Sequence, residues 1–380
     1  MEKIRHVLGI SGGKDSAALA IYLHEKYPEI DFTYYYTDTG KELDETYQLL
    51  ENIEIYLGKK IEKLVAEDAK ASSENPFDFF YKSFRGYVPS PTARWCTNHM
   101  KLQPFEKFIG NEIPTLSYVG IRGDEDREGY ISKKDNIQSI FPFRRNIWSS
   151  DVLHKLFNPA NNEVVYDFYN AVFKGERLDK AMDLLNSEIT FERHQRLATE
   201  RQVKHKLEGL LDLDVVDFNH ATFQFLKGTK YPLSFEEDYA LLSNTDVLVR
   251  DDIFRILRES GVGVPAYYEK KEYEVDGMKG QYARSRSGCF FCFYQQKIEW
   301  VWLYEQHPDK FKEAMEYENV DEAFTWNQHE SLEDLIHPER IKQIKLEHLK
   351  RMDRQKSADS PFLLDILDDT EGDGCVACFV

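Results

Sequence analysis

The amino end limits the fold more than any other part of the chain. Residues 4–10 form an apolar run that reads as a buried strand, and the run breaks at once into Ser11-Gly12-Gly13-Lys14-Asp15-Ser16. A helical pattern then begins at Asp15 or Ser16. Glycines at such a junction let the backbone approach an anion closely, and the free N–H groups of the new helix point at the same anion. Lys14 adds a mobile positive charge, and Ser11 and Ser16 add hydroxyl donors. The six residues read as a cradle for pyrophosphate. They are not the common P-loop, because Leu8 and Asp15 stand where that motif needs a glycine and a hydroxyl residue. Two glycines alone would suit an ordinary turn; the full hexapeptide between strand and helix favours the cradle.

The alternation continues beyond this loop. A helix over about 16–26 sets Ala18, Leu19, Tyr22 and Leu23 on one face, and Pro28 marks its end. A second strand at 31–36 ends in Thr37-Asp38-Thr39-Gly40. Thr46, Leu50, Ile53 and Leu57 then recur at helical spacing, with Gly58 as the cap. Further strands are expected at 60–65 and 115–121. Such alternation predicts an α/β fold, a doubly wound parallel sheet with helices on both faces and ligands at the carboxyl ends of its strands. The expected divisions are an α/β core at 1–152, a mostly helical insertion at 153–249 and a return to the core at 250–305. A helical basic region follows at 306–358, then a flexible acidic tail at 359–380. Within the insertion, helical patterns run over 164–186 and 190–211.

Hydrophobic residues make up 42% of the 380 and aromatics 14%, ample for a core. No apolar run is long enough to span a bilayer and no signal-peptide pattern opens the chain, so a cytoplasmic protein without a membrane partner is expected. The net charge of −18, from 49 basic and 67 acidic residues, is a poor field for holding nucleic acid unaided. Two basic stretches, 191–206 and 337–357, read singly as solvated helix faces and together as weak candidates for contacting a polyanion. The aromatic run Phe290, Phe291, Phe293, Tyr294, Trp300, Trp302 and Tyr304 is expected to be mostly core. Five cysteines in a cytosolic chain argue against a disulfide framework, and four of them form two CxxC pairs, Cys289/Cys292 and Cys375/Cys378.

Residues 11–16 resemble the SGGxDS loop of the N-type ATP pyrophosphatases, the adenine nucleotide α-hydrolase-like group, whose loop binds the β,γ-phosphates of ATP as it is split to AMP and pyrophosphate. Five later segments resemble the phosphoadenosine phosphosulfate reductase-like branch of that group. They are Asp38-Thr39-Gly40 with Glu45-Thr46; Arg94-Trp95-Cys96 with Lys101; Gly120-Ile121-Arg122 with Asp124-Glu125; Pro142 with Trp148 and Asp151-Val152; and Gly261, Pro265 and Tyr268 with Gly288-Cys289 and Cys292. The resemblance covers 1–152 and 250–305. An intact Lys14-Asp15-Ser16 and the ending around Cys375 and Cys378 make the chain similar to ATP pyrophosphatase components of bacterial DNA phosphorothioation systems of the Dnd and Ssp kinds.

The resemblance implies ATP and Mg²⁺ as cofactors, held by Ser11, Gly12, Gly13, Lys14, Asp15, Ser16, Asp38, Thr39, Gly40 and Gly120. Lys14, Asp15, Ser16, Lys101 and Arg122 would carry catalysis. Asp15 either holds the metal or caps the helix, and Lys101 and Arg122 either neutralise phosphate or form salt bridges. Sulfur transfer needs thiolates. Cys96, Cys289 and Cys292 suit a [4Fe–4S] cluster with an open iron, with Cys375 or Cys378 able to close it or to carry persulfide on a mobile arm. Zinc held by Cys289, Cys292, Cys375 and Cys378 is the rival. The implied partners are a cysteine desulfurase and a DNA-nicking protein, with DNA reached through the complex; a homo-oligomer stays open. The other readings are a phosphoadenosine phosphosulfate or adenosine phosphosulfate reductase, a sulfurylase subunit, and a nucleotide-binding scaffold without catalysis.

Overall fold

The computed structural model describes residues 4–129, 131–187, 189, 196–327 and 330–357. Five strands, β1 (Arg5–Gly9), β2 (Phe32–Thr37), β3 (Ile61–Leu64), β4 (Thr115–Tyr118) and β5 (Ile137–Ile140), form one sheet in the order β3-β2-β1-β4-β5. β1 pairs with β4, β4 with β5 and β2 with β3, each in parallel. The inner strands bury residues on both sides, as a sheet covered by helices on both faces does; Val7, Leu8, Tyr35, Leu116 and Ile140 are entirely buried. The chain steps from β1 to β2 to β3, then returns to the far side of β1 for β4 and β5. The order therefore reverses at β1, the point beyond which ligands gather in doubly wound sheets.

Helix α1 (Lys14–Lys26) begins one residue before the earliest expected start, and every residue from Ala17 to Leu23 is buried. A helix apolar all round belongs inside a core. Helix α2 (Asp44–Leu57) is amphipathic, burying Thr46, Leu49, Leu50, Ile53 and Leu57, and Gly58 ends it with φ 61°. The strand expected at 115–121 stops at Tyr118, and the chain past it turns into the segment carrying Arg122. Two elements were not expected from the pattern: β5, whose Gln138 and Ser139 are buried, and a hairpin of β6 (Lys271–Val275) and β7 (Met278–Tyr282).

The chain forms two compact units. One comprises the described residues of 1–8, 23–33 and 109–252. Its segment 153–249 is mostly helical, and the pattern expected over 164–186 divides at Gly175 into Asn162–Val172 and Glu176–Asn186. These helices share a core with the strands before them. Trp148 donates to Asn219 Oδ1 at 3.0 Å, Asn219 donates to the Leu242 carbonyl at 3.1 Å, and Gln138 Oε1 accepts from the Leu233 N–H at 3.2 Å.

The second unit comprises the described residues of 9–22, 34–108 and 253–380. Its core is aromatic: Phe77, Trp95, Phe290, Phe291, Trp300, Trp302 and Trp326 pack in one cluster, while Tyr304 is exposed. The basic stretch 337–357 lies mainly in the helix Pro338–Ser357. Three of its cations are paired internally: Arg340 with Glu330 at 2.5 Å, Lys342 with Asp276 at 2.8 Å and Lys345 with Glu305 at 2.6 Å.

Candidate functional site

The loop leaving β1 is held from several sides within the second unit. The Ser11 N–H donates to Ser16 Oγ at 3.1 Å, the two serine hydroxyls lie 3.1 Å apart, and Ser16 Oγ donates to the Gly13 carbonyl at 3.2 Å. Gly12 sits at φ +75°, where a Cβ would land on the Thr46 methyl, and a Cβ on Gly13 would lie 2.6 Å from Ser287 Oγ. Only glycine fits at either place without a neighbour moving. Tyr267 donates its hydroxyl to the Gly12 carbonyl at 3.0 Å, and Tyr268 OH accepts from the Lys14 N–H at 3.4 Å.

Lys14 is buried, its ammonium 3.1 Å from Asp15 Oδ2 and 5.1 Å from the centre of the Tyr268 ring. Asp15 therefore partners the loop lysine. Two hydroxyls, a lysine and the open end of a thirteen-residue helix converge here. That is the donor set an anionic phosphate tail requires.

A second cluster forms past the carboxyl end of β2. Asp38 Oδ1 accepts from the Gly40 N–H at 2.8 Å and from Tyr47 at 3.1 Å, and Asp38 also pairs with Lys63. Burial works to raise its carboxyl, and the hydrogen bonds from Lys63, Gly40 and Tyr47 outweigh that, leaving Asp38 below the usual carboxylate range. Glu42 is pushed the other way, by burial first and the Asp38 charge second. Thr39 Oγ1 donates to Glu42 Oε1 at 2.6 Å and lies 3.1 Å from Cys289 Sγ. Burial, then the Glu42 charge, drive the Cys289 thiol well above its ordinary value, while Lys101 pulls it down. Lys101 reaches this cluster from a single π-helical turn, Asn98–Leu102, a distortion frequent at functional sites.

The structure thus assembles residues 11–16, Asp38, Thr39, Gly40, Lys101, Cys289 and Cys292 in one unit. Cys96 is in the same unit, half-buried against the aromatic cluster. Among the described residues, no three His, Cys, Asp or Glu side chains are arranged to hold a metal ion. Cys96, Cys289 and Cys292 are thus not gathered as one ligand set. Cys375 and Cys378 lie outside the described residues.

Gly120 and Arg122 belong to the other unit. Arg122 is fully buried, with Nε 2.9 Å from Asp124 Oδ1 and Nη1 3.3 Å from Glu125 Oε1. Of its two expected readings, the ion pair is the one the geometry displays, and it is interior.

Two residues of the second unit escaped the sequence reading. Glu42 gains its meaning only from an antiparallel bridge to Cys289. Arg284 is 2% exposed, donates from Nη2 to the Cys289 carbonyl at 3.0 Å and to Gln295 Oε1 at 2.8 Å, and lies 5.8 Å from the centre of the Tyr267 ring. Nothing local in the sequence distinguishes it from its neighbour Arg286.

Comparison with known proteins agrees with this architecture. Residues 5–146 match the family model described as phosphoadenosine phosphosulfate reductase domain. An uncharacterized protein of Methanocaldococcus jannaschii is 34% identical over 165 residues, covering 39% of this chain and 31% of that protein. The chain thus spans about a third of the relative it matches. No solved structure matches the chain. Among the described residues, no helix is long and apolar enough to cross a membrane. Over residues 5–146 the chain is therefore similar to phosphoadenosine phosphosulfate reductase domains.

Proposed function

We propose that this protein splits ATP to AMP and pyrophosphate and uses the adenylate to activate an oxygen for replacement by sulfur. The observation that carries the reading is the intact loop. Gly12, Gly13, Lys14 and Ser16 offer amides, an ammonium and a hydroxyl at a helix N-terminus, braced from behind by Tyr267, Thr46 and Ser287. A site that only bound an already activated sulfate would have less need of a pyrophosphate cradle. Charge building on the leaving pyrophosphate would be met by donors already in place. Mg²⁺ would enter with the nucleotide.

In this scheme an acceptor oxygen attacks the α-phosphorus, the α–β bond breaks and pyrophosphate leaves. Persulfide sulfur carried on Cys289 then attacks the adenylated centre and AMP departs. Cys292 attacks the Cys289 sulfur, freeing the thio-product and leaving a Cys289–Cys292 disulfide that an external dithiol reduces. Lys101 favours the thiolate, and Glu42 restrains it until sulfur arrives. DNA phosphorothioation, with a cysteine desulfurase as sulfur donor and a nicking partner presenting DNA, is the finer proposal.

The family description of residues 5–146 favours a second reading, a reductase that attacks the sulfonyl sulfur of phosphoadenosine phosphosulfate from Cys289. Pyrophosphate release separates the two. Wild type releases pyrophosphate and AMP from ATP and the Ser16→Ala variant falls to background. If wild type and variant share one background rate while wild type forms sulfite from phosphoadenosine phosphosulfate, the reductase reading replaces the first.

A further inference from the structure

We infer that Arg284 is an anion-binding residue, holding a tetrahedral oxyanion of the phosphate or sulfate class at the thiol end of the site. Arginine stays protonated in proteins, so a guanidinium 2% exposed is a full positive charge out of water. Buried charges are normally paired, because an uncompensated one is strongly destabilising. Among the described residues Arg284 has no carboxylate partner. Nη2 donates to two neutral acceptors, the Cys289 carbonyl and Gln295 Oε1, while Nε and Nη1 have no acceptor at all. Glu299, a buried carboxylate on an adjacent segment, is occupied by the Ser285 N–H at 2.6 Å, the Ser285 hydroxyl at 2.9 Å and the Gln296 N–H at 2.8 Å.

Nε–H and Nη1–H lie on different edges of the planar cation, because Nη2 is the member common to both of its forks and is already taken, so an anion here accepts from one of the two and supplies the missing negative charge. The place is as informative as the charge. Arg284 is bonded to the backbone of Cys289, and its guanidinium neighbours the ring of Tyr267, whose hydroxyl holds the Gly12 carbonyl. One side chain thus joins the thiol cluster to the residue that braces the loop. The Arg284 N–H donates to the Tyr267 carbonyl at 2.9 Å, which fixes the backbone at that junction. Pyrophosphate has its own donors at residues 11–16, so the Arg284 anion is a different group. It is either the α-phosphoryl of the adenylate or an oxidised sulfur group.

The inference deepens the proposed function, and its test keeps the two apart. Binding of inorganic pyrophosphate, AMP and inorganic sulfate is measured by calorimetry on wild type, Arg284→Gln and Arg284→Lys. Arg284→Gln is expected to lose about 10- to 100-fold in affinity for AMP or for sulfate, the weight of hydrogen bonds to a charged group, while pyrophosphate changes less than about twofold. Arg284→Lys falls between, keeping the charge without the guanidinium's placement of its donors. Loss of AMP alone assigns the α-phosphoryl; loss of sulfate assigns a sulfur oxyanion.

Equal affinities in wild type and Arg284→Gln for all three anions overturn the inference. So does equal loss of all three in a variant whose circular dichroism matches wild type. If wild type fails to bind pyrophosphate yet sulfate binding depends on Arg284, the inference stands and the loop reading falls. Should Arg284→Gln not fold, the Nε–H resonance of Arg284 in arginine-labelled wild type decides. It shifts on titration with sulfate or AMP if the inference holds, and its failure to respond to either overturns it.

Discussion

Gly12 and Gly13 need their missing side chains for different reasons, and substitution can tell the reasons apart. At Gly13 no left-handed φ is involved, and the obstacle is a single atom, Ser287 Oγ, 2.6 Å from where a Cβ would sit. Overpacking of this kind costs about 1–3 kcal/mol. With an unfolding entropy of about 2.1 cal/mol/K per residue, the 380 residues melting together give roughly 0.8 kcal/mol/K. Gly13→Ala should therefore lower the melting temperature by about 1–4 °C. Removing the hydroxyl with Ser287→Ala leaves the Ser287 Cβ at 3.4 Å, ordinary contact. The double variant should then match Ser287→Ala alone, or exceed it slightly because alanine stiffens the unfolded chain.

Gly12 is the contrast. Its φ of +75° costs an alanine about 1–2 kcal/mol whatever lies nearby. Thr46→Ser removes the methyl a Cβ would strike and keeps the hydroxyl, so it should rescue Gly12→Ala only in part. Scanning calorimetry on the six proteins and wild type reads both cycles, with ATP affinity measured alongside. A Gly13→Ala loss that Ser287→Ala fails to relieve, or complete rescue of Gly12→Ala by Thr46→Ser, would refute the loop geometry.

Further outcomes follow from the charged and hydrogen-bonded groups. Arg122→Met takes the buried cation from Asp124 and leaves Glu125 with Arg127 alone, and should destabilise by about 3 kcal/mol in urea unfolding; a change under about 1 kcal/mol would contradict the interior ion pair. Alkylation of Cys289 by iodoacetamide, followed by peptide mass, should reach half its maximal rate above the ordinary thiol range. Glu42→Gln removes a repelling charge and should move that midpoint down, while Lys101→Met should move it up; movement in the opposite sense in either variant counts against the cluster.

A carboxyl raised on folding contributes stability that is complete below the unfolded value and lost as pH rises through the folded one. The melting temperature of Glu42→Gln relative to wild type should therefore climb from about pH 4.3 upward, and a flat difference would show Glu42 to be unperturbed. Tyr267→Phe strips the Gly12 carbonyl of its donor and should cost about 1–3 kcal/mol, together with a loss of pyrophosphate affinity that a variant outside the loop would not display.

The parts of the fold legible in sequence were those whose signals are local. The run before Ser11, the two glycines, the 3.6-residue spacing of Leu50, Ile53 and Leu57 and the cap at Gly58 each report on their own neighbourhood. β5 was not legible because Gln138 and Ser139 break its apolar pattern, and Gln138 is buried only because the distant Leu233 N–H bonds it. The hairpin of β6 and β7 did carry a signal in Asp276-Gly277, both at positive φ as a two-residue turn demands. The alternating charges around it masked that signal.

The site divides in the same way. Residues 11–16 and the CxxC at Cys289 announce themselves. Glu42 and Arg284 acquire roles only through contacts with residues far away in the chain: a bridge from 42 to 289, and the burial of Arg284 against Tyr267. Arg122 shows the opposite limit, since a motif position cannot reveal that two neighbouring carboxylates already hold its guanidinium.

The central claim, that residues 11–16 grip the tail of ATP, is tested most directly by a crystal structure with a non-hydrolysable ATP analogue. The account predicts the β- and γ-phosphates within hydrogen-bonding distance of the amides of residues 12–16 and of Lys14 Nζ. Phosphates bound elsewhere, with the loop closed on itself as Lys14–Asp15 and Ser11–Ser16, would contradict it.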